Sequence, residues 1–173
     1  MATIDLIVLG MVKKEPLSAY EIQKLVEYRN ISKWVKISTP SIYKKVIQLE
    51  EKGYVSSRIV REGKMPEKAV YSLTEAGERQ MEKLMLEIAA KPIQIFLDFN
   101  AVIVNLDALS PEKQEKCLAD IEANVKTLKA YLEENIRAKE NLPEIPQAGM
   151  AVLQQQFILA QAIETWIESF HQG

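Results

Sequence analysis

Residues 38–52 carry the side chains of this sequence that are best suited to hold an anionic or hydrogen-bonding partner. Ser38 or Thr39 can cap a helix here, and Pro40 suits its first turn. Gly53 is a usual helix end. At about 100° per residue, a helix over this segment gathers hydroxyl, amide and ammonium groups on one side. Such groups bind base edges and phosphates, although an ordinary solvated face has the same composition. The polar face consists of Ser41, Lys44, Lys45, Gln48 and Lys52.

The other side of the same segment is apolar. Ile42, Val46 and Leu49 recur at i, i+4 and i+7, which is the spacing of a helix face that packs on a core. Tyr43 and Ile47 lie beside this face. The segment is therefore predicted to be an amphipathic helix whose polar face points away from the core.

The neighbouring segments complete a helical module with a hairpin. Ser18, followed three residues later by Glu21, is a capping box that starts a helix. The apolar residues 3–13 fit a buried helix or a buried strand. Downstream, "YVSSRIV" and "KAVYSL" are short β-type segments on either side of a turn. Three helices and a two-stranded hairpin predict a winged helix-turn-helix, whose last helix enters the major groove while the hairpin touches the flanking backbone.

The charge of the chain is divided in a way that suits this fold. The net charge is −2, but residues up to Glu75 hold 13 Lys and Arg against 9 Asp and Glu, whereas the rest hold 9 against 15. Between Arg29 and Lys68 the ratio is 10 to 4. A basic segment joined to an acidic one indicates a nucleic-acid-binding module with a second module attached. The cations expected on the hairpin are Arg58, Arg61, Lys64 and Lys68.

Composition narrows the class of protein further. A hydrophobic share of 47% suffices for a packed core. No apolar run reaches the roughly 18 residues that a membrane span needs. The single cysteine, Cys117, excludes an internal disulfide and predicts a cytoplasmic location. Because there is no glycine-rich phosphate loop and no Cys/His cluster, we predict neither an enzyme nor a bound metal or cofactor.

Residues 76–173 are predicted to form a separate helical domain that follows the domain of residues 1–75. We expect an apolar helix from the break at Pro92 to Leu109, and a long helix that begins at Ser110. Leucine, isoleucine and valine recur in the long helix at the spacing of a coiled-coil seam. The last helix carries large aromatic side chains. The residues predicted to make a dimer are Leu118, Ile121, Val125, Leu128, Leu132, Phe157, Trp166 and Phe170.

The sequence resembles the PadR family of bacterial and archaeal transcriptional regulators in three blocks: "VLGMVKKEPLSAYEIQKLV", "WVKISTPSIYKKVIQLEEKGYV" and "KMPEKAVYSLTEAGE". Two positions depart from the family pattern. Ala19 stands where a glycine is usual, and Glu67 stands where a basic residue is usual. The positions that carry the resemblance are Tyr20, Glu21, Tyr43, Leu49, Glu50, Gly53, Leu73, Thr74, Glu75, Ala76 and Gly77.

The resemblance implies a homodimeric DNA-binding repressor whose C-terminal helices exchange between protomers and which a small-molecule effector often controls. It also implies that Tyr43 reaches a DNA phosphate. We therefore predict a mainly α protein with a winged helix-turn-helix and a C-terminal helical dimerisation domain, which binds an inverted-repeat operator in double-stranded DNA. An effector would lie in a cavity formed by residues 93–109 and 150–170. The predicted DNA-binding residues are Ser38, Thr39, Ser41, Tyr43, Lys44, Lys45, Gln48, Arg61, Lys64 and Lys68.

A second function is compatible with the same elements. A winged helix can serve as a protein-interaction adaptor, with the C-terminal helices as a docking bundle and no DNA bound. The local charge separates the two hypotheses, because an adaptor has no need for a concentration of Lys and Arg around its third helix and hairpin.

Overall fold

The computed structural model describes residues 2–35, 41–61, 67–143 and 145–170. The chain forms two compact units, residues 1–93 and 94–173. Helix α4, which follows the predicted boundary at residue 75, packs on α1 within the first unit. One contact between these helices is an ion pair of 3.2 Å between Lys13 and Glu78. The elements of the first unit are α1 (Ala2–Lys14), β1 (Leu17–Ser18), α2 (Ala19–Tyr28), a 3-10 turn (Ile31–Lys33), α3 (Ser41–Glu51), β2 (Val55–Val60), β3 (Lys68–Leu73) and α4 (Glu75–Ala89).

The apolar face of helix α3 packs as its sequence pattern predicts. Ile42, Val46 and Leu49 are fully buried in the core of the first unit, whereas Tyr43 and Ile47 beside them are exposed. The same core includes Val8 and Leu9 of α1, Ile22 and Val26 of α2, and Leu84 of α4. Residues 3–13, which the sequence left open between helix and strand, form a helix. The prediction of a mainly α fold with an N-terminal winged helix is confirmed.

The sheet has three strands rather than the two predicted, in the order β1-β3-β2. The additional strand is the pair Leu17 and Ser18, which lies antiparallel to Tyr71 and Val70 of β3. It forms because the chain must be extended just before the capped start of α2, and extended backbone beside a strand pairs with it. The start of α2 is thereby fixed to the base of the hairpin.

The junction between α3 and the hairpin depends on two glycines and one threonine. Gly53 has φ +72° and ends α3 in the left-handed conformation, as predicted. The Thr74 hydroxyl donates to Gly53 O at 2.7 Å and accepts from Gly77 N–H at 3.0 Å, so it also caps α4. The Thr74 N–H donates to Tyr54 O at 3.2 Å. These bonds hold the first turn of α4 directly against the backbone that leaves α3.

The second unit contains two long helices preceded by irregular chain. The predicted helix over residues 93–109 is wrong, because only two short turns form there. Ile93 and Ile95 are β-branched, which lowers their helix propensity, and Asn105 Nδ2 donates to Ala101 O at 2.8 Å, a side-chain bond that competes with the backbone bonds of a helix. The elements are α5 (Asn100–Ile103), a 3-10 turn (Leu106–Ala108), α6 (Pro111–Lys139) and α7 (Gln147–Phe170).

Helices α6 and α7 form an antiparallel hairpin whose core uses most of the predicted seam. Ile121 and Val125 are buried together with Ile167 of α7. Lys129 of α6 forms an ion pair with Glu164 of α7. In the described part of the chain, no helix has the length and apolar character needed to cross a membrane.

Candidate nucleic-acid interface

The outward face of α3 differs in part from the predicted one. Tyr43 and Lys44 are exposed, and Gln48 is half-buried. Ser41 is the first residue of α3, but its side chain lies outside the described part of the chain, as do Ser38, Thr39 and Lys64. The exposed face therefore centres on Tyr43 and Lys44, about a quarter turn from where the predicted polar face is centred.

Lys45 does not lie on this face, which corrects its predicted role in DNA binding. Only 7% of the residue is exposed, and its Nζ lies 2.9 Å from Asp5 Oδ1 of α1. The Asp5 oxygen is itself buried, so this ion pair is largely removed from solvent. On a helix Lys45 lies about 40° from Leu49, at the margin of the buried face, and its long stem packs inward.

Ile47 is a candidate contact residue that the sequence analysis assigned to the margin of the core. It is 51% exposed on the same outward face as Tyr43. An exposed apolar side chain on a recognition helix can contact the methyl group of thymine. The signal was present in the sequence, because Ile47 follows Tyr43 by four residues and so points in nearly the same direction.

The hairpin presents its cations unevenly. Arg58 and Arg61 are exposed, as expected for residues that meet phosphates. Lys68 is tied to α2, since its Nζ lies 3.0 Å from Glu21 Oε1. Lys68 was predicted to contact a phosphate, but its ammonium group already pairs with the carboxylate of Glu21.

Glu21 is held in place by the cap of α2. Its Oε2 accepts from the Ser18 N–H and from the Ser18 hydroxyl, both at 2.7 Å, so the predicted capping box is confirmed. The pKa of Glu21 lies below its ordinary value of 4.5. The largest cause is the hydrogen bond from the Ser18 backbone N–H, and the Ser18 hydroxyl and Lys68 lower the pKa further. A depressed pKa means that the carboxylate stabilises the fold above pH 4.5 and loses this effect as the pH falls through the lower folded value.

We expect Glu21→Gln to lower the free energy of unfolding at pH 7 by less than about 1 kcal/mol, because the pair is partly exposed and glutamine also serves in a capping box. The difference from the native protein should shrink as the pH falls below 4.5, because the Glu21 carboxylate of the unfolded chain then binds a proton while that of the folded protein still holds its charge. Urea unfolding at a series of pH values measures it. If the difference in unfolding free energy stays constant down to about pH 3, well below the ordinary pKa of a glutamate, the lowered pKa of Glu21 is contradicted.

A cleft of about 540 Å³ opens where the first turn of α2, the start of α3 and β3 meet. Its walls include Tyr20, Tyr43 and Tyr71 together with the Glu21–Lys68 pair. Tyr20, which was not among the predicted contact residues, is 59% exposed, and Lys24 Nζ lies 5.5 Å from the centre of its ring. The cleft brings Tyr43 and Lys68, two of the predicted DNA-binding residues, to one place.

The second unit contains an apolar groove of about 460 Å³. Phe99 and Trp166 stack in it with ring centroids 5.8 Å apart, and Leu128 and Leu159 line it as well. Most of its walls come from the segments around residues 95–100 and 156–166, within the regions where a cavity was predicted, and Leu128 of α6 adds a wall outside them. No cluster of three possible His, Cys, Asp or Glu metal ligands occurs among the residues that the structure describes.

The predicted dimerisation residues fall into two groups. Ile121, Val125 and Leu132 are buried within the single chain and are corrected to core residues, because a side chain covered by its own chain has little surface left for a partner. Leu118 and Phe157 are partly buried. Leu128, Trp166 and Phe170 keep a large exposed surface.

Comparison with known proteins identifies the first unit. The profile of the transcriptional regulator PadR-like family matches residues 8–83, which include the capping box, α3, the hairpin and most of α4. The first unit is a PadR-like domain. The resemblance noted in the sequence is thereby confirmed, and the family is one of transcriptional regulators. No curated protein matches the chain.

Solved structures share the PadR-like fold along the whole chain. Bacillus subtilis PadR in complex with operator DNA matches with a TM-score of 0.82 at 20% identity, over 97% of this chain and 96% of that chain. B. subtilis PadR in complex with p-coumaric acid matches with 0.78 at 18% identity, over 96% and 92%. The Vibrio cholerae virulence activator AphA matches with 0.70 at 19% identity, over 96% and 94%. At these identities the likeness concerns the fold.

Proposed function

We propose that this chain is a sequence-specific transcriptional repressor that binds an inverted-repeat operator as a homodimer. The observation that carries the proposal is the outward face of α3, where Tyr43, Lys44 and Ile47 are exposed in a PadR-like domain whose hairpin also carries the exposed cations Arg58 and Arg61. The complex of B. subtilis PadR with operator DNA, which shares the fold, supports it. In this geometry α3 enters the major groove and the hairpin meets the flanking backbone.

The side chains of α3 divide into two kinds of contact. Lys44 and Tyr43 suit phosphates, because an ammonium group and a phenol hydroxyl both donate to phosphate oxygens. Ile47 suits a thymine methyl group, and Gln48 suits the edge of adenine. Arg58 and Arg61 on the hairpin add phosphate contacts outside the groove.

Homodimerisation follows from the surface of the second unit and from the size of the DNA contact. Phe96, Val104 and Phe170, which do not line the apolar groove, leave apolar surface uncovered in the single chain. One recognition helix reads only a few base pairs, so two are needed for a specific site. Two helices on half-sites about 34–36 Å apart, or a multiple of that distance, read an inverted repeat.

The decisive experiment selects bound fragments from genomic DNA with the full-length protein and measures its mass in solution. A dimer that enriches palindromes supports the proposal, and a reporter gene that is silenced through such a site supports repression. A protein that enriches no DNA would instead support the adaptor, whose folded surface would be the same. If binding at the site raises expression of the reporter gene, repression is contradicted but DNA binding is not. The name of the V. cholerae protein describes it as an activator.

Release by a small aromatic effector is the regulatory part of the proposal. The groove lined by Phe99 and Trp166 is mainly apolar and falls within the usual size range of ligand pockets, about 300–1,000 Å³. B. subtilis PadR binds p-coumaric acid, which is an aromatic ligand of suitable size. A panel of small aromatic acids should contain a compound that raises the melting temperature and releases operator DNA. If no member does both, effector control through this groove is contradicted.

We expect Ile47→Ala to weaken operator binding about fivefold, or about 1 kcal/mol, because an apolar contact to a base is lost. Binding to an unrelated duplex and the slope of log affinity against log salt should not change, since Ile47 carries no charge. Lys44→Ala is the matched comparison on the same face, and it should lower that slope by about one unit on both duplexes. Fluorescence anisotropy over a salt series measures both.

A further inference from the structure

The cleft between α2, α3 and β3 combines Tyr43 of α3 with groups that the contacts of α3 with DNA do not use. Tyr20 and Tyr43 line it and remain 59% and 45% exposed. Lys68 lies on its wall at the first residue of β3, where the hairpin leaves the body of the domain. An ammonium group and two phenols around one opening are donors suited to a phosphate.

The same cleft contains a carboxylate that cannot move away. Glu21 accepts from the Ser18 N–H and hydroxyl through one oxygen and from Lys68 through the other, at 2.7, 2.7 and 3.0 Å. The Ser18 N–H belongs to the backbone at the start of α2, so the carboxylate stays where the cap holds it. Lys68 has a long flexible stem, and its partly exposed ammonium group can exchange one anionic partner for another.

We propose that this cleft seats one backbone phosphate of the DNA, bound by Lys68, Tyr20 and Tyr43, and that Glu21 competes with this phosphate for Lys68. The inference rests on the DNA-binding function proposed above. Glu21 is thereby a specificity-determining residue, although it makes no contact with a base. On an unrelated sequence, where no base contacts hold the DNA in register, Lys68 stays on Glu21. On the operator, the contacts of α3 hold the phosphate in the cleft, and Lys68 transfers to it.

Glu21→Gln tests the competition without removing the cap, because glutamine at the third helical position also accepts from the capping residue. The full-length variant should bind an unrelated duplex about three- to tenfold more tightly, with a salt slope steeper by up to about one unit, since one more cation meets phosphate. Operator binding should rise less, so the ratio of specific to non-specific affinity should fall. Anisotropy titrations on both duplexes measure this, and circular dichroism checks that the variant is folded.

Glu27→Gln is the matched control, because it makes the same change of charge on the same helix. Glu27 lies outside the cleft and pairs with Lys24 at 3.4 Å. Its effect should be small and equal on the two duplexes. Tyr20→Phe removes one proposed phosphate donor and should weaken binding to the operator about three- to tenfold without changing the salt slope.

The double variant Glu21→Gln/Lys68→Met isolates the pair. If Glu21 acts by competing for Lys68, adding Glu21→Gln to Lys68→Met should change binding no more than Glu27→Gln does. The inference is overturned if Glu21→Gln equals Glu27→Gln in the native background, or if its effect persists without Lys68. If the native protein binds the operator and the variants give either of these results, only this inference is contradicted. If the native protein binds no duplex, the proposed function is contradicted as well.

Discussion

Lys45→Ala will lower the free energy of unfolding by about 3 kcal/mol, although the residue lies on α3, the proposed recognition helix. Breaking a buried ion pair by removing one partner typically costs about 3–5 kcal/mol, because the remaining charge is left buried and unpaired. The lower end applies here, since the side chain of Lys45 is 9% exposed but that of Asp5 keeps 17%. Urea denaturation measures the change.

Lys44→Ala is the control for this prediction. It makes the same substitution one position earlier, at an exposed site, and should change stability by no more than about 0.5 kcal/mol. The double variant Asp5→Leu/Lys45→Met should recover most of the lost stability, because an apolar pair of similar volume replaces a buried ion pair at little cost. If Lys45→Ala keeps native stability and lowers the salt slope of DNA binding, Lys45 faces the DNA and the buried pair is contradicted.

Gly77→Ala will destabilise the first unit by about 3 kcal/mol or more. A Cβ atom at this position would lie 2.0 Å from Tyr54 O and 2.7 Å from Leu73 Cδ1. The carbonyl is backbone and accepts the Thr74 N–H, so it cannot turn aside without loss of that bond. Overpacking costs about 1–3 kcal/mol, and displacement of α4 also strains the Thr74 cap, which is worth about 1 kcal/mol.

Gly10→Ala is the control for Gly77→Ala, because it makes the same substitution at a position without a steric conflict. Gly10 lies inside α1, and a Cβ there would have no heavy atom within 4 Å. Alanine should therefore stabilise the protein by about 0.5–1 kcal/mol, through the better helix propensity. Thermal unfolding of the two variants should shift in opposite directions. If Gly77→Ala melts at the native temperature, the close approach of α4 to Tyr54 is contradicted.

Features that depend on neighbouring residues in the chain could be predicted from the sequence. The capping box of Ser18 and Glu21, the end of α3 at Gly53 and the buried face of Ile42, Val46 and Leu49 all follow from contacts within one or two helical turns. The winged helix follows from the order of these local signals, because few other folds have three helices and a hairpin in this order.

The direction of side chains at the margin of a helix face was decided by tertiary structure. The periodicity of α3 places Lys45 on the polar face, about 40° from Leu49, and only the presence of Asp5 on α1 turns it inward. Ile47 lies beside the apolar face, but no element among the described residues covers it, so it stays exposed. Lys68 could be placed on the hairpin from sequence, but its partner Glu21 is 47 residues away, and β-strand pairing brings the two together.

The second unit shows the same division more strongly. The apolar spacing of α6 predicts a seam, but spacing alone does not say whether the seam faces a helix of the same chain or of a second copy. Ile121 and Val125 are covered by Ile167 of α7, because the short connection at residues 140–146 returns the chain along α6. The sequence by itself determined the class of fold and which segments are amphipathic. The tertiary structure decided which charged and apolar side chains remain on the surface, because burial depends on contacts between residues far apart in the chain.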